Sequence, residues 1–276
     1  MKNMLQNLKL PFIIATAILF TATSCKKENT PENQANSNNP AVENLVYLKK
    51  TRPILFEFTS TGCFGCGQWG KPTFASLIEG NTDIIPLAVH IKYGDPMITE
   101  FSTQLGQNRH GSLFTPQLWV NDSNAVVLQG NGIQGQQSIE RANYLIETSK
   151  PNITPTLAAN FKIVDNKVEV NFGTQFIDFQ EDGEYFIACY LTEDKISFQQ
   201  SGYSSNPAQH NHVIRDAANG TYGYSFTKAD LMKNKKEWSH TFELLPNFNV
   251  ENLYSTIIVW KKVNNRYQAL NGFVAK

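Results

Sequence analysis

Ile54 to Phe58 is a short run of apolar and aromatic positions that breaks at Thr59-Ser60-Thr61-Gly62, and it predicts a buried strand. From Cys63 to about Ile78, the placement of Trp69, Phe74, Leu77 and Ile78 predicts a helix face, with Pro72 kinking or restarting the helix. A second strand is predicted over Asp83–Ile91, a turn at Tyr93-Gly94-Asp95-Pro96 and a short helix or lid over 97–110. Thr115-Pro116 opens a third strand, Gln117 to Asn121, with Ala125 to Leu128 as its hairpin partner. Gln136 to Ser149 has helical spacing and ends at Lys150-Pro151.

Beyond Pro151 the pattern changes. Seven strand-like runs recur: Thr156–Val164, Lys167–Phe172, Glu184–Leu191, His212–Ile214, Trp238–Leu245, Leu253–Val263 and Tyr267–Val274. Turn pairs separate them, among them Asp165-Asn166, Asn219-Gly220 and Asn264-Asn265. Short strands with no strong helix predict a β-sandwich. The pattern thus divides the chain into a strand–helix half over 45–150 and an all-β half over 151–276.

The N-terminus has a different texture. Lys2 and Lys9 precede an uncharged, mostly apolar stretch from Leu10 to Ala22, which is too short for a comfortable membrane span and fits a signal peptide over 1–24. Ala22-Thr23-Ser24-Cys25 resembles a bacterial lipobox, with Ala22 where the strict pattern has Leu; the resemblance implies lipid attachment at Cys25. Residues 25–44 are polar and cannot bury enough surface to order themselves, so they read as a flexible tether. The chain carries 24 basic and 24 acidic residues, and removal of 1–24 leaves 22 against 24. With no basic excess, nucleic acid is not expected as a partner.

The candidate chemistry lies at Cys63-Phe64-Gly65-Cys66. A C-x-x-C is either half a zinc site or a thiol–disulfide pair. No second C-x-x-C exists, and the remaining cysteines are Cys25 and Cys189, so zinc would need distant ligands. An exported chain favours thiol–disulfide chemistry. Placed between a strand and a helix start, Cys63 would meet the free N–H groups and positive end of the helix, which favour the reactive thiolate. Cys66, one turn on, would then be the resolving thiol. The motif is followed by Gly67 and not by His, which excludes covalent haem attachment. His210-Asn211-His212 puts two histidines at i and i+2, but no third ligand is near in sequence, so they read as surface or structural. Cys189, within the apolar run Tyr185–Leu191, reads as an inert buried thiol. Neither a cofactor nor a metal is expected.

Leu55 to Cys66 resembles the active-site strand and loop of the thioredoxin superfamily. The resemblance implies an α/β thioredoxin-like domain and gives Glu57 the part of a buried carboxylate that moves protons to and from the second cysteine. It also likens Thr115-Pro116 to a cis-proline element facing the pair, with the Thr115 backbone placed for an extended substrate. The chain departs from that pattern at Gly62, where the family has Trp, and at Pro72, one position later than usual. Asn211 to Ala217, with Gly220 and Gly223, extends the likeness: the whole chain resembles the twenty-eight-kilodalton outer-membrane-protein-related lipoprotein family. That implies a thioredoxin-like half, an immunoglobulin-like sandwich and an outer-membrane or surface location.

Two functions are expected from these readings. The first is a membrane-tethered thiol–disulfide oxidoreductase, with Cys63, Cys66, Glu57, Thr115 and Pro116 as its site and exported proteins as its partners. The second is a non-catalytic surface binding protein or adhesin for an extracellular ligand, with a structural Cys63–Cys66 disulfide.

Overall fold

The computed structural model describes residues 45–109, 114–130, 132–179, 181–231 and 235–276. The signal segment 1–24, Cys25 and the tether lie outside the described residues. Among those described, no helix is long and apolar enough to cross a membrane.

The first half carries strands β1 (Ile54–Thr59), β2 (Ile85–His90), β3 (Gln117–Val120), β4 (Ser123–Asn124), β5 (Leu128–Gln129) and β6 (Gly132–Ile133), with helices α1 (Lys71–Gly80), α2 (Glu100–Asn108) and α3 (Gly135–Ser149). The second half carries β7 (Thr156–Val164), β8 (Lys167–Gln175), β9 (Glu184–Glu193), β10 (Ile196–Phe198), β11 (Ala208–His210), β12 (Val213–Ala217), β13 (Tyr224–Thr227), β14 (Lys236–Glu243), β15 (Leu253–Val263) and β16 (Arg266–Ala275), plus a short helix α4 (Lys228–Leu231).

These elements correct the expected fold class. The chain is not an α/β thioredoxin-like domain followed by an all-β immunoglobulin-like sandwich. Strand predominates over helix, and one nine-stranded sheet takes strands from both sides of residue 150, in the order β16-β15-β9-β12-β2-β1-β3-β4 with β13 also on β9. The join is β12. Val213 pairs in parallel with Ala88 of β2, the Ala88 N–H donates to the His212 carbonyl at 2.8 Å, and the other edge of β12 runs antiparallel to β9. An open β2 edge would leave a row of main-chain groups unpaired, and β12 covers it.

Period-two alternation gives the sheet two apolar faces. Along β9, Tyr185, Ile187, Cys189 and Leu191 meet the smaller sheet β14-β8-β7 through Val168, Val170, Phe172 and Phe242. Ala188 and Tyr190 point the other way, into a core with Phe56, Phe58, Leu87, Trp260 and Leu105 of α2. The other face of β1 and β3 offers Leu55, Leu118 and Val120 to Phe74 and Leu77 of α1 and Ala142 and Ile146 of α3. Thus α1 and α3 lie on one face and α2 on the other.

Local signals account for several boundaries. The β7–β8 and β15–β16 hairpins turn at Asp165-Asn166 and Asn264-Asn265, all four at positive φ between 48° and 63°, the conformation that Asn and Asp tolerate best among residues with a Cβ. Pro72 lies inside a helical run that continues from 64 to 80, directly after the π-helical turn Cys66–Gly70, and has no N–H to donate back to that turn. The hairpin partner of β3 is β4 at Ser123–Asn124, not Ala125–Leu128. Ala125 instead donates its N–H to the Leu118 carbonyl and is buried against the helices.

Candidate functional site

Cys63 and Cys66 form a disulfide where β1 passes into the helical segment that leads to α1. A single π-helical turn, Cys66–Gly70, joins the motif to α1. Cys63 keeps 8% of its surface exposed and Cys66 none, so a partner molecule can meet only the first cysteine. The Cys66 N–H points at Cys63 Sγ, 3.2 Å away, which is the contact a thiolate at Cys63 would use. Cys63 Sγ also lies 3.6 Å from the Thr115 carbonyl oxygen. The Thr115–Pro116 peptide is cis. Phe64, between the cysteines, is exposed.

The glycines around the pair are there for close approach. A Cβ on Gly70 would sit 2.6 Å from Pro116 Cβ and 3.3 Å from Glu57 Oε1. One on Gly67 would collide with the backbone of Ser201 and Tyr203. The turn that carries Cys66 is therefore pressed against Pro116, Glu57 and a strap from the second half of the chain. Glu57 is buried, its Oε1 has no hydrogen-bond partner among the described residues, and burial pushes its carboxyl up to about 7 against the opposing pull of Lys71 and the Thr59 hydroxyl. The structure thus brings Cys63, Cys66, Glu57, Thr115 and Pro116 into one neighbourhood.

Several residues of this neighbourhood carried no sequence signal. Gln200, buried in the strap, directs its side-chain amide at the carbonyl oxygens of Ser60, Thr61 and Cys63, each at 3.2 Å, while Ser201 N–H donates to Thr61 O at 2.8 Å. Asp95 holds the same loop from the other side. Its Oδ2 accepts from Thr61 N at 2.7 Å and pairs with His90 Nδ1 at 2.9 Å, and its Oδ1 accepts from Met97 N at 2.9 Å. Burial alone would raise the Asp95 carboxyl, but His90 and the two N–H donors outweigh it and hold the group well below the usual carboxylate range.

Replacing Gln200 with Ala should remove the side-chain donor that these carbonyls share, leave them only their backbone N–H partners, and cost about 1–2 kcal/mol. A lower urea midpoint together with faster reduction of Cys63–Cys66 by dithiothreitol is the expected result. An unchanged reduction rate would mean that the strap does not restrain the loop.

Behind the cysteine turn lies a cavity of about 340 Å³, with Glu57 and Lys71 among its lining residues and His90, His210 and His212 on its walls. His210 is buried and its Nε2 has no partner among the described residues; burial first, then His90 and Lys71, lower it to about 4. His212 Nδ1 lies 2.7 Å from Tyr254 Oη, and Asp194 is close by. The two histidines expected at the surface or in a structural role thus border a cavity. No group of three metal-ligating side chains occurs among the described residues. Cys189 is fully buried, and burial raises its thiol well above the ordinary value.

No family model matches the chain, and no curated protein matches it. Among solved structures, the chain is similar to HBP35 of Porphyromonas gingivalis, with a TM-score of 0.64 at 16% identity over 82% of this chain and 75% of that one. A domain of the outer membrane lipoprotein Omp28 from the same organism matches 44% of this chain and 84% of that one at 22% identity, with a TM-score of 0.33. A DUF3823 family protein from Bacteroides ovatus gives 0.25 at 13% identity over 60% of this chain and 77% of that one. The last two scores are too low to carry a fold argument. The likeness that stands is one of fold, to HBP35, over most of the chain.

Proposed function

We propose that this chain is a lipid-anchored protein of the outer membrane whose Cys63–Cys66 pair exchanges electrons with thiols and disulfides of exported proteins. The observation that carries the reading is the asymmetry of the pair: Cys63 buried except for 8% of its surface, with an N–H aimed at its sulfur, and Cys66 fully enclosed on a turn pressed against Glu57, whose Oε1 has no hydrogen-bond partner among the described residues. In the reducing direction, the Cys63 thiolate attacks a substrate disulfide, forms a mixed disulfide and releases one substrate thiolate. Cys66 gives its proton to Glu57 and attacks Cys63 Sγ, which closes the pair and releases the second substrate thiolate. The substrate gains two electrons and the pair loses two. The lipid anchor rests on the lipobox-like segment at Cys25.

A second reading, a surface binding protein with a structural disulfide, draws on the strap. Gln200 and Ser201 clasp the loop, and only a small part of Cys63 reaches solvent. Redox titration of residues 26–276 against glutathione and dithiothreitol, followed by alkylation, separates the two. An oxidoreductase should give a reversible midpoint between about −120 and −270 mV, and Cys63→Ser should abolish insulin reduction. A pair that resists reduction below about −300 mV would leave the binding reading.

A further inference from the structure

We infer that the cavity behind the cysteine turn is a binding site for a small organic monocarboxylate with an apolar body. Its volume, about 340 Å³, lies at the lower end of the range for small-molecule sites. One wall is apolar: Phe74, Ala75 and Ile78 of α1, with Ala88 of β2 and Pro207. The polar groups gather opposite. Lys71 donates to the Gln209 carbonyl, which leaves two of its three N–H groups for an anion. Among the described residues Lys71 is the one lysine or arginine on the lining, and Glu57, its carboxyl neighbour, is held toward the neutral acid by burial.

Two lining side chains, Glu57 and His210, are more than nine-tenths buried, yet each has a polar atom with no partner among the described residues. Leaving such atoms unpaired costs free energy, so their pairing on this cavity marks it as a built site and not a packing gap. A carboxylate seated on Lys71 would accept from the Glu57 acid. A hydroxyl on the ligand would donate to His210 Nε2, and the body would lie on Phe74 and Ile78. The other titratable groups on the lining are His90, His212 and Tyr203; His90 is engaged by Asp95, and His212 by Tyr254 and Asp194.

The inference does not rest on the redox reading, and its test reads binding alone. The whole chain is titrated with 4-hydroxyphenylacetate, 4-hydroxybenzoate and 2-hydroxyisocaproate, each beside its amide, with ligand-observed NMR and calorimetry as readouts. At least one acid should bind at least tenfold more tightly than its amide. Lys71→Met should weaken that acid at least tenfold, whereas Lys49→Met, on the exposed surface, should leave it unchanged. Ala75→Trp puts an indole at an exposed position of the apolar wall, narrows the cavity and should abolish binding in a chain that still unfolds cooperatively. Failure of all three acids to bind, equal binding of acid and amide, or binding that survives both Lys71→Met and Ala75→Trp would overturn the inference.

Discussion

Replacing Asp95 with Ala should lower stability by about 3–5 kcal/mol, the cost of removing a buried carboxylate together with the three hydrogen-bonding partners it satisfies. Asp95 and His90 are both almost fully enclosed, and the carboxylate also satisfies the N–H groups of Thr61 and Met97. Alanine would leave two main-chain donors and a ring nitrogen without partners in a place water does not reach. For a chain of this size the thermal midpoint should fall by about 10 °C. Asp95→Asn keeps an acceptor for one of the N–H groups and should cost less.

The charge adds a pH signature. The folded carboxyl is held below its unfolded value of about 3.9, so its contribution is fully present above that value and is lost as the pH falls below it. Urea unfolding at pH 7 and at pH 3 checks both parts: the difference between the wild type and Asp95→Ala should shrink in acid. Equal midpoints at pH 7 would show that the loop before Cys63 is held by other means.

The second large effect is concealed in the wild type. Glu57 and His210 border the same cavity with shifts of opposite consequence. The Glu57 carboxyl rises from 4.5 to about 7, so the folded chain takes up this proton before the unfolded chain does. Stability from this group is fully present below pH 4.5 and is lost as the pH rises through 7, a change of about 3 kcal/mol at 1.36 kcal/mol per pH unit. His210 falls from 6.5 to about 4, so between these values the unfolded chain binds the extra proton, and stability is lost as the pH falls.

The two slopes oppose each other between about pH 4.5 and 6.5, and the wild type should be nearly flat there. Glu57→Gln should uncover the His210 slope, with stability dropping toward pH 4.5. His210→Gln should uncover the Glu57 slope, with stability climbing over the same interval. Urea midpoints at half-unit steps decide it. Parallel curves for the two variants would mean that neither group is shifted as its surroundings imply.

What could be read from the sequence follows the range of the interactions. The long strands β7 and β15 came out with their observed ends, because a sustained strand-like run and an Asn- or Asp-containing turn are local signals. The Cys63–Cys66 pair and the register of Glu57 were also legible, since one strand and one turn fix them. The short strands β10, β11 and β13 were not, because three or four residues are too few for a periodic pattern to stand out. Gln200 reaches Cys63 across 137 residues and Ser60 across 140, and nothing near Gln200 in sequence announces that contact. His210 and His212 were noticed as a spacing, but their cavity exists only because Lys71 and Glu57 arrive from the other half of the chain.

The continuity of the large sheet across residue 150 was hidden for the same reason. The change of texture at Pro151 is real, yet the hydrogen bonds that join β12 to β2 are made by main-chain groups that any residue supplies. Side-chain pattern therefore could not show that the sheet continues.

That seam has a consequence for any attempt to divide the protein. A chain stopped at residue 150 would lack both the strand that covers β2 and the glutamine that clasps the cysteine loop. It would present a bare edge ready to pair with another copy of itself. The same edge is a template for the missing piece, so the two halves, made as separate polypeptides in one cell, have a reason to reassemble. The natural break in this molecule is not the one its composition suggests.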